Sequence, residues 1–222
     1  MACIVCFGEV LVRLSAPAGE LLLQSPELRV HIGGAEANVA VSLAHFGHTA
    51  RMASCVADNA LGEAALGELR RHGVDTSGVT RAAGRMGLYF LTPGAGQRPP
   101  DIIYDRAHSA FATVAMKEMN WRGILDDAAW LHVSGVTPAL SASCAEAALN
   151  AMKLARAAGV KVSYDANFRA KLWEARAEDP RPTLDAMFAQ ADLIFAGARD
   201  VALVTGQRVD SIEQAAEIVF AR

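Results

Sequence analysis

Short apolar runs alternate with helical patterns along most of the chain. Residues 3 to 7 form a nearly uninterrupted apolar run that ends at Gly8, as expected for a buried central strand. Similar runs predict further strands of a main sheet at 49–56, 130–134, 160–164 and 193–195. Helical spacing of apolar residues predicts helices over about 35–46, from Asp58 to Gly73, over about 141–158, and over 198–205 and 211–222. Asp58 can cap the second of these helices.

Four of these helices stop at a glycine, where the left-handed position after a helix favours a residue without a side chain. The four glycines are Gly47, Gly73, Gly159 and Gly206. Apolar strands that alternate with glycine-ended helices are typical of right-handed βαβ crossovers. We therefore predict one α/β domain over residues 1–222 with a doubly wound, mostly parallel sheet.

Two segments do not follow this alternation. Residues 10–14 and 28–32 resemble short strands separated by a loop that contains Pro, Gly and Ser. Residues 88–92 and 102–106 resemble a hairpin around a Pro- and Gly-rich loop. We predict that the segments from about 10 to 32 and 86 to 110 form a small β-sheet lid outside the main sheet.

Composition and charge favour a small-molecule partner. The chain has 222 residues, of which 52% are hydrophobic and 20% charged, so it can bury a core. Its net charge is −3 and it has no run of Lys or Arg, which argues against nucleic acid or an anionic membrane. Four scattered cysteines are too few for a disulfide framework, so we expect a reducing, cytoplasmic setting. No apolar run approaches the roughly 20 residues that span a bilayer.

The glycine pair Gly33-Gly34 precedes the first predicted helix. Without side chains, these residues let a ligand approach the backbone, and the first-turn N–H groups of the helix point outward unpaired. Asn38 lies four residues after Gly34, on the same helical face. The alternative is a tight loop followed by a satisfied polar residue, and this stretch alone does not decide between the two.

Other polar residues follow predicted strands. Segments 134–141 and 165–173 leave the carboxyl ends of buried strands, where ligands of α/β proteins collect. The alternatives are a strand-to-helix turn with a serine cap and a structural salt-bridge cluster. On the predicted lid, Tyr89, Tyr104 and Arg106 could cover a polar ligand, or the tyrosines could simply cover the small sheet while Arg106 lies in solvent.

Several familiar sites are excluded by their missing motifs. The chain contains no G-x-x-x-x-G-K-[ST], which argues against a P-loop. Gly94-Ala95-Gly96 is a fragment of a dinucleotide fingerprint, but it lies in a hairpin loop and does not connect a strand to a helix. The motifs G-x-S-x-G, H-E-x-x-H and paired C-x-x-C are also missing.

The sequence Gly-Gly-Ala-x-x-Asn-x-Ala before a glycine-ended helix resembles the N-terminal motif of the ribokinase-like (PfkB) sugar kinases. Across essentially the whole chain, the motifs are most similar to those of 2-keto-3-deoxygluconate kinases. The resemblance implies ATP-dependent phosphorylation of a sugar or sugar acid, with Mg²⁺, and a lid that pairs in a homo-oligomer. The alternatives are a fructose- or ribose-type sugar kinase and a catalytically inactive sugar-acid binder.

The resemblance also implies roles for individual residues. Arg106 and Arg169 would bind a carboxylate or the transferred phosphoryl group. Arg13 is consistent with a sugar-acid substrate. Many sugar-specific relatives carry an acidic residue at this position to hold sugar hydroxyls, and an arginine would disfavour that contact. The implied substrate contacts are Gly33, Gly34, Asn38, Tyr89, Tyr104, Arg106, Val136 and Arg169. The implied nucleotide contacts are Asp165, Asn167 and Asp200, with Asp200 also helping to place the metal ion.

Three departures from the family pattern concern catalysis. Ala57 stands where the family usually has glycine, and Gly197-Ala198-Arg199-Asp200 stands at the family's Asn-x-x-Glu. The sequence ends at Arg222, before the family's Gly-Ala-Gly-Asp, which carries the anion hole and the aspartate base. We therefore expect the fold to be incomplete at its C-terminus, no catalytic residue within the chain, and doubtful activity for residues 1–222 alone.

Overall fold

The structure is a computed structural model that describes residues 3–113 and 119–221. In chain order, its strands are β1 (Cys3–Phe7), β2 (Leu11–Ser15), β3 (Arg29–Gly33), β4 (Thr49–Ala57), β5 (Asp75–Ala82), β6 (Gly87–Thr92), β7 (Asp101–Asp105), β8 (Ala128–Ser134), β9 (Lys161–Asp165) and β10 (Leu193–Phe195). Its helices are α1 (Ala35–His45), α2 (Ala60–Arg71), α3 (Ala110–Thr113), α4 (Trp121–Leu125), α5 (Val136–Leu140), α6 (Ala142–Ala157), α7 (Ala170–Arg176), α8 (Arg181–Phe188), α9 (Ala198–Thr205) and α10 (Ile212–Phe220).

The main sheet has six strands in the order β10-β9-β8-β1-β4-β5, and each neighbouring pair is parallel. Strand β1 lies inside the sheet, and Val5, Cys6 and Phe7 are fully buried there. Helix α6 packs its small residues on the sheet, with Ala148, Ala151 and Met152 also fully buried. This architecture confirms the predicted doubly wound α/β fold.

A second sheet of four strands, called the small sheet below, has the order β3-β2-β6-β7. Its outer pairs are antiparallel, whereas the central strands β2 and β6 are parallel. The hairpin β6–β7 lies where the sequence predicted one. The structure therefore confirms a mixed β-sheet outside the main sheet.

Most predicted boundaries agree with the structure to within one or two residues. Gly47, Gly73, Gly159 and Gly206 have φ of 87°, 80°, 77° and 67°, so each takes the left-handed conformation expected after a helix. Ser141 caps α6, as in the alternative interpretation of residues 134–141, since its Oγ accepts a hydrogen bond from Cys144 N at 3.1 Å. The last predicted helix agrees with α10, although Arg222 lies outside the described residues.

Other predictions were incomplete or wrong. Asp58 does not cap α2; Asn59 does, because its Oδ1 accepts from Leu61 N at 3.0 Å and Gly62 N at 3.1 Å. The segment predicted as an edge loop after Asp165 becomes helical at Ala170. The sequence also gave no prediction for β5 or for the short helices α3, α4, α5, α7 and α8.

The four cysteines are free and buried, as expected for core residues. Among residues 3–113 and 119–221, no helix is long and apolar enough to cross a membrane. Phe195 on β10 and Phe220 at the end of α10 are 54% and 89% exposed, so apolar surface is available for association.

Candidate functional site

The small sheet joins the main sheet at a corner beyond the end of β1. Strand β3 continues through Gly34 directly into α1. A Cβ atom on Gly34 would lie 2.2 Å from the backbone oxygen of Glu9. Only glycine permits this close approach, which sets the start of α1 against the segment between β1 and β2.

A row of four side chains crosses the small sheet. Arg13 on β2 lies opposite His31 on β3 and Tyr89 on β6. Tyr89 in turn lies opposite Tyr104 on β7, with 6.3 Å between the ring centroids. Since directly paired residues point to the same face of a sheet, these four side chains form one surface, called the cross-strand row below.

The glycine pair and Asn38 lie beside this face. Gly33 pairs with Leu11, which is two residues before Arg13 and therefore on the same face of β2. A Cβ atom on Gly33 would lie 3.3 Å from Asn38 Oδ1. Gly33 and Asn38 therefore lie next to each other, and Gly33 lies on the sheet face that carries the two tyrosines.

A buried ion pair lies at the base of the same face. Arg106 donates from Nε and Nη2 to Glu9 Oε2, at 2.8 and 2.6 Å, and Ser109 Oγ donates to Glu9 Oε1 at 2.5 Å. The side chains of Arg106 and Glu9 are 7% and 1% exposed. The alternative that placed Arg106 in solvent is therefore wrong. The Arg106 guanidinium also lies 5.9 Å from the Tyr104 ring centroid. The Arg106–Glu9 ion pair therefore holds β7 and the cross-strand row against the end of β1.

A second buried carboxyl holds the junction between β8 and α5, the helix that begins at Val136. Glu36 Oε1, in the first turn of α1, accepts from Ser134 N and Oγ at 3.0 and 2.7 Å and from Thr137 Oγ1 at 2.9 Å. Burial raises the pKa of the Glu36 carboxyl, although the hydrogen bonds from Ser134 and Thr137 act in the opposite direction. A Cβ atom on Gly8 would lie 2.1 Å from Glu36 Oε2, so the glycine leaves room for this carboxyl.

We expect Glu36→Gln to gain stability relative to the wild type as the pH rises. Because the folded state raises the pKa of Glu36, it retains a proton above about 4.3, the ordinary glutamate value, where the unfolded state has lost it. The stability that the protonated Glu36 carboxyl contributes to the folded protein is therefore lost as the pH rises from about 4.3 through the raised pKa of the folded state. Glutamine has no such titration and keeps an acceptor for Ser134 and Thr137.

The measurement is the free energy of unfolding in denaturant at a series of pH values from about 4 to about 8. Glu27→Gln is the matched control, since Glu27 is an exposed glutamate in a loop. It removes an exposed carboxyl and so gives the background effect of the substitution. A relative loss of stability in Glu36→Gln at the higher pH would mean that the hydrogen bonds outweigh burial.

The predicted nucleotide contacts lie at the carboxyl edge of β9. Asp165 Oδ1 accepts from Asn167 N at 3.2 Å, and Asp200 Oδ2 accepts from Gly197 N at 2.9 Å at the start of α9. Burial raises the pKa of Asp165, and the charge of Asp200 acts in the same direction while Arg169 lowers it. These interactions place the two acids and Arg169 near one another.

Arg169 is exposed at the start of α7. Within the described part of the chain, its guanidinium has no hydrogen-bond or ion-pair partner, so the alternative of a structural salt-bridge cluster is not observed there. The described residues also contain no group of three or more His, Cys, Asp and Glu that could hold a metal ion. The metal role of Asp200 stays a prediction.

The sequence analysis missed Glu9 and Glu36, although both carry a local signal. Each is an acid next to or within a strongly apolar segment, and Glu9 directly follows Gly8 at the end of the central strand. A carboxyl in such a place needs a buried partner. The signal indicates a partner without identifying it.

The whole chain, residues 1–222, matches the family model for pfkB family carbohydrate kinases. It is 35% identical over 97% of its length to a 2-dehydro-3-deoxygalactonokinase of Haloferax volcanii, and 33% identical over 95% of its length to a fructokinase of Oryza sativa. A solved structure of 2-dehydro-3-deoxygluconokinase from Thermotoga maritima superposes on the entire chain with a TM-score of 0.90 and 38% identity. The chain spans 67%, 64% and 68% of the lengths of these three proteins.

Proposed function

Because the chain belongs to the pfkB family of carbohydrate kinases, we propose that it serves the ATP-dependent phosphorylation of a sugar acid of the 2-keto-3-deoxygluconate type. The names of the Haloferax and Thermotoga relatives support this substrate class, since "dehydro" and "keto" denote the same group. The observation that carries the proposal is the cross-strand row, which presents aromatic and cationic side chains beside the glycine pair.

The sugar would lie between the cross-strand row and the start of α1. Backbone groups at Gly33 and Gly34 and the side chain of Asn38 would hold its hydroxyls. Tyr89 and Tyr104 would cover it as the inner face of a lid. Both tyrosines combine an apolar ring with a polar hydroxyl, which suits the mixed surface of a sugar.

The acid group and the sheet edge complete the substrate site. Val136, at the start of α5 between two residues that Glu36 binds, would make an apolar contact. Arg169, without a partner among the described residues, would bind the negative charge. Nε and Nη2 of Arg106 are bound to Glu9, so Nη1 is its nitrogen left for a substrate contact. Arg106 would therefore mainly position the cross-strand row.

Asp165, Asn167 and Asp200 would face the nucleotide phosphates and Mg²⁺. The mutual repulsion of Asp165 and Asp200 supports this placement, since a divalent cation would relieve it. Mg²⁺ supplies charge compensation for phosphoryl transfer. We assign no catalytic base to the described residues.

The small sheet would also contribute a subunit contact in a homo-oligomer. Val30 and Ile103 lie on the face opposite the cross-strand row, and they are 62% and 53% exposed. An apolar sheet face of this kind is suited to a second sheet. The four free cysteines are consistent with a cytoplasmic protein.

A fructose-type kinase is the second candidate, supported by the similarity to the Oryza sativa fructokinase. The two functions differ in the charge of the substrate. Calorimetric titration with 2-keto-3-deoxygluconate and with fructose, together with an ATP- and Mg²⁺-dependent coupled assay, separates them. Tight binding of fructose and none of the acid would contradict the proposed function.

We expect Arg169→Ala to weaken binding of 2-keto-3-deoxygluconate by roughly tenfold to a hundredfold, the value of one charge-assisted contact. The methyl ester of the same acid should lose little, because it carries no negative charge. Lys171→Ala is the matched control, since Lys171 is an exposed cation two residues further on. Equal losses for the acid and the ester would remove the proposed charge role of Arg169.

A further inference from the structure

Arg13 occupies the centre of the cross-strand row, between His31 on one side and Tyr89 on the other. Resting on the proposed function, we propose that Arg13 is a specificity-determining residue that binds the carboxylate of the sugar acid from the lid side.

The first argument is the missing partner. Arg13 Nε is buried, yet it makes no hydrogen bond within residues 3–113 and 119–221. Ser15 lies two residues further along β2, on the same face, and is 6% exposed; its Oγ likewise has no partner among the described residues. Buried polar groups in folded proteins are nearly always hydrogen-bonded, so these two groups on one strand face are available to hydrogen-bond a ligand.

The second argument is charge. Arg106 is neutralised by Glu9, so its positive charge is balanced within the protein. Arg13 has no acidic partner within the described residues, and the cross-strand row contains no carboxyl group. The row therefore presents an unbalanced cation to whatever lies against Tyr89.

The chemistry of a guanidinium identifies the ligand group. Its planar fork donates two parallel hydrogen bonds to a carboxylate, and the adjacent tyrosine hydroxyl of Tyr89 can donate as well. A neutral sugar would leave the cation unbalanced, because its hydroxyls carry no charge to offset the desolvation of the guanidinium. The position thus selects an acid and discriminates against the neutral sugar.

The test compares Arg13→Gln and Arg13→Lys with the wild type. Binding of 2-keto-3-deoxygluconate and of its methyl ester is measured by calorimetric titration, and the stability of the ligand-free protein by thermal unfolding. Arg29→Gln is the matched control: Arg29 is exposed on the edge strand β3, on the same sheet face, opposite Ser15.

We expect Arg13→Gln to lower affinity for the acid roughly tenfold to a hundredfold and affinity for the ester by less than about twofold. Its ligand-free melting temperature should stay the same or rise, since an unbalanced, half-buried cation is removed. Arg13→Lys should keep a reduced preference for the acid, because lysine retains the charge without the fork. Arg29→Gln should behave as the wild type.

Equal losses for acid and ester, or an unchanged preference for the acid in Arg13→Gln, would overturn the role of Arg13. If the preference instead disappears only in Arg169→Ala, the proposed function stands and this inference falls. A wild type that binds the acid no better than the ester overturns both. Should Arg13→Gln fail to fold, Arg13→Lys decides, and wild-type affinity for the acid in that variant would refute the bidentate contact.

Discussion

Replacing Glu9 with alanine will destabilise the protein by about 3–5 kcal/mol, the usual cost of breaking a buried ion pair from one side. The loss is large because Arg106 remains buried with a positive charge that nothing compensates. For a chain of this size, we expect a fall in melting temperature on the order of 10 °C. Thermal and denaturant unfolding of the two proteins at one pH measure it.

Two further variants establish the cause. Ser109→Ala removes one hydrogen bond to the same carboxyl and should cost only about 1 kcal/mol. The double variant Glu9→Gln with Arg106→Met removes both charges and should recover most of the lost stability. If Glu9→Ala costs no more than Ser109→Ala, the ion pair does not hold the small sheet in place.

Gly34→Ala will destabilise the protein by roughly 3 kcal/mol or more, at or above the upper end of the usual cost of overpacking. The new methyl group would lie 2.2 Å from the backbone oxygen of Glu9 and 3.3 Å from Ala37 Cβ. A backbone atom cannot rotate away, so α1 and the end of β1 would have to separate. Sugar binding should be lost with the corner that both segments form.

Gly33→Ala is the matched control, one residue away. Among the described residues, its methyl group would meet Asn38 Oδ1 alone, at 3.3 Å, and that side chain can move. We expect a stability change below about 1 kcal/mol, but weaker sugar binding because the methyl group occupies the approach to the backbone. Denaturant unfolding and calorimetry distinguish the two effects. Equal destabilisation by both variants would contradict the close approach at Gly34.

The elements that the sequence predicted well are those with a local signal. Strand β1 is continuously apolar, and α1 and α9 each end at a glycine. Strand β5 was missed because its residues, Asp-Thr-Ser-Gly-Val-Thr-Arg-Ala, are largely polar on an edge strand. Helix α5 was missed because it has five residues and contains Pro138, and its stability comes from burial of Val136 and Thr137.

The site was predictable only in part, for the same reason. Gly33, Gly34 and Asn38 form a motif within six residues of sequence. The hydrogen bonds of Glu9 and Glu36 instead join residues 97 and 98 positions apart, to Arg106 and Ser134. No local pattern reveals such partners. The same long-range pair with Glu9 explains why Arg106 is buried and does not lie in solvent, as one alternative from the sequence had placed it.

The parallel pairing of β2 with β6 also shapes how the protein folds. A hairpin such as β6–β7 forms from neighbouring residues, but β2 and β6 are separated in the chain by β3, α1, β4, α2 and β5. The entropy of closing that long loop must be overcome before the pair forms, and such non-local contacts slow folding. We therefore expect β2 and β6 to pair later than the β6–β7 hairpin forms. Tyr89 and Tyr104 can meet within the hairpin, whereas Arg13 joins them only when β2 pairs with β6.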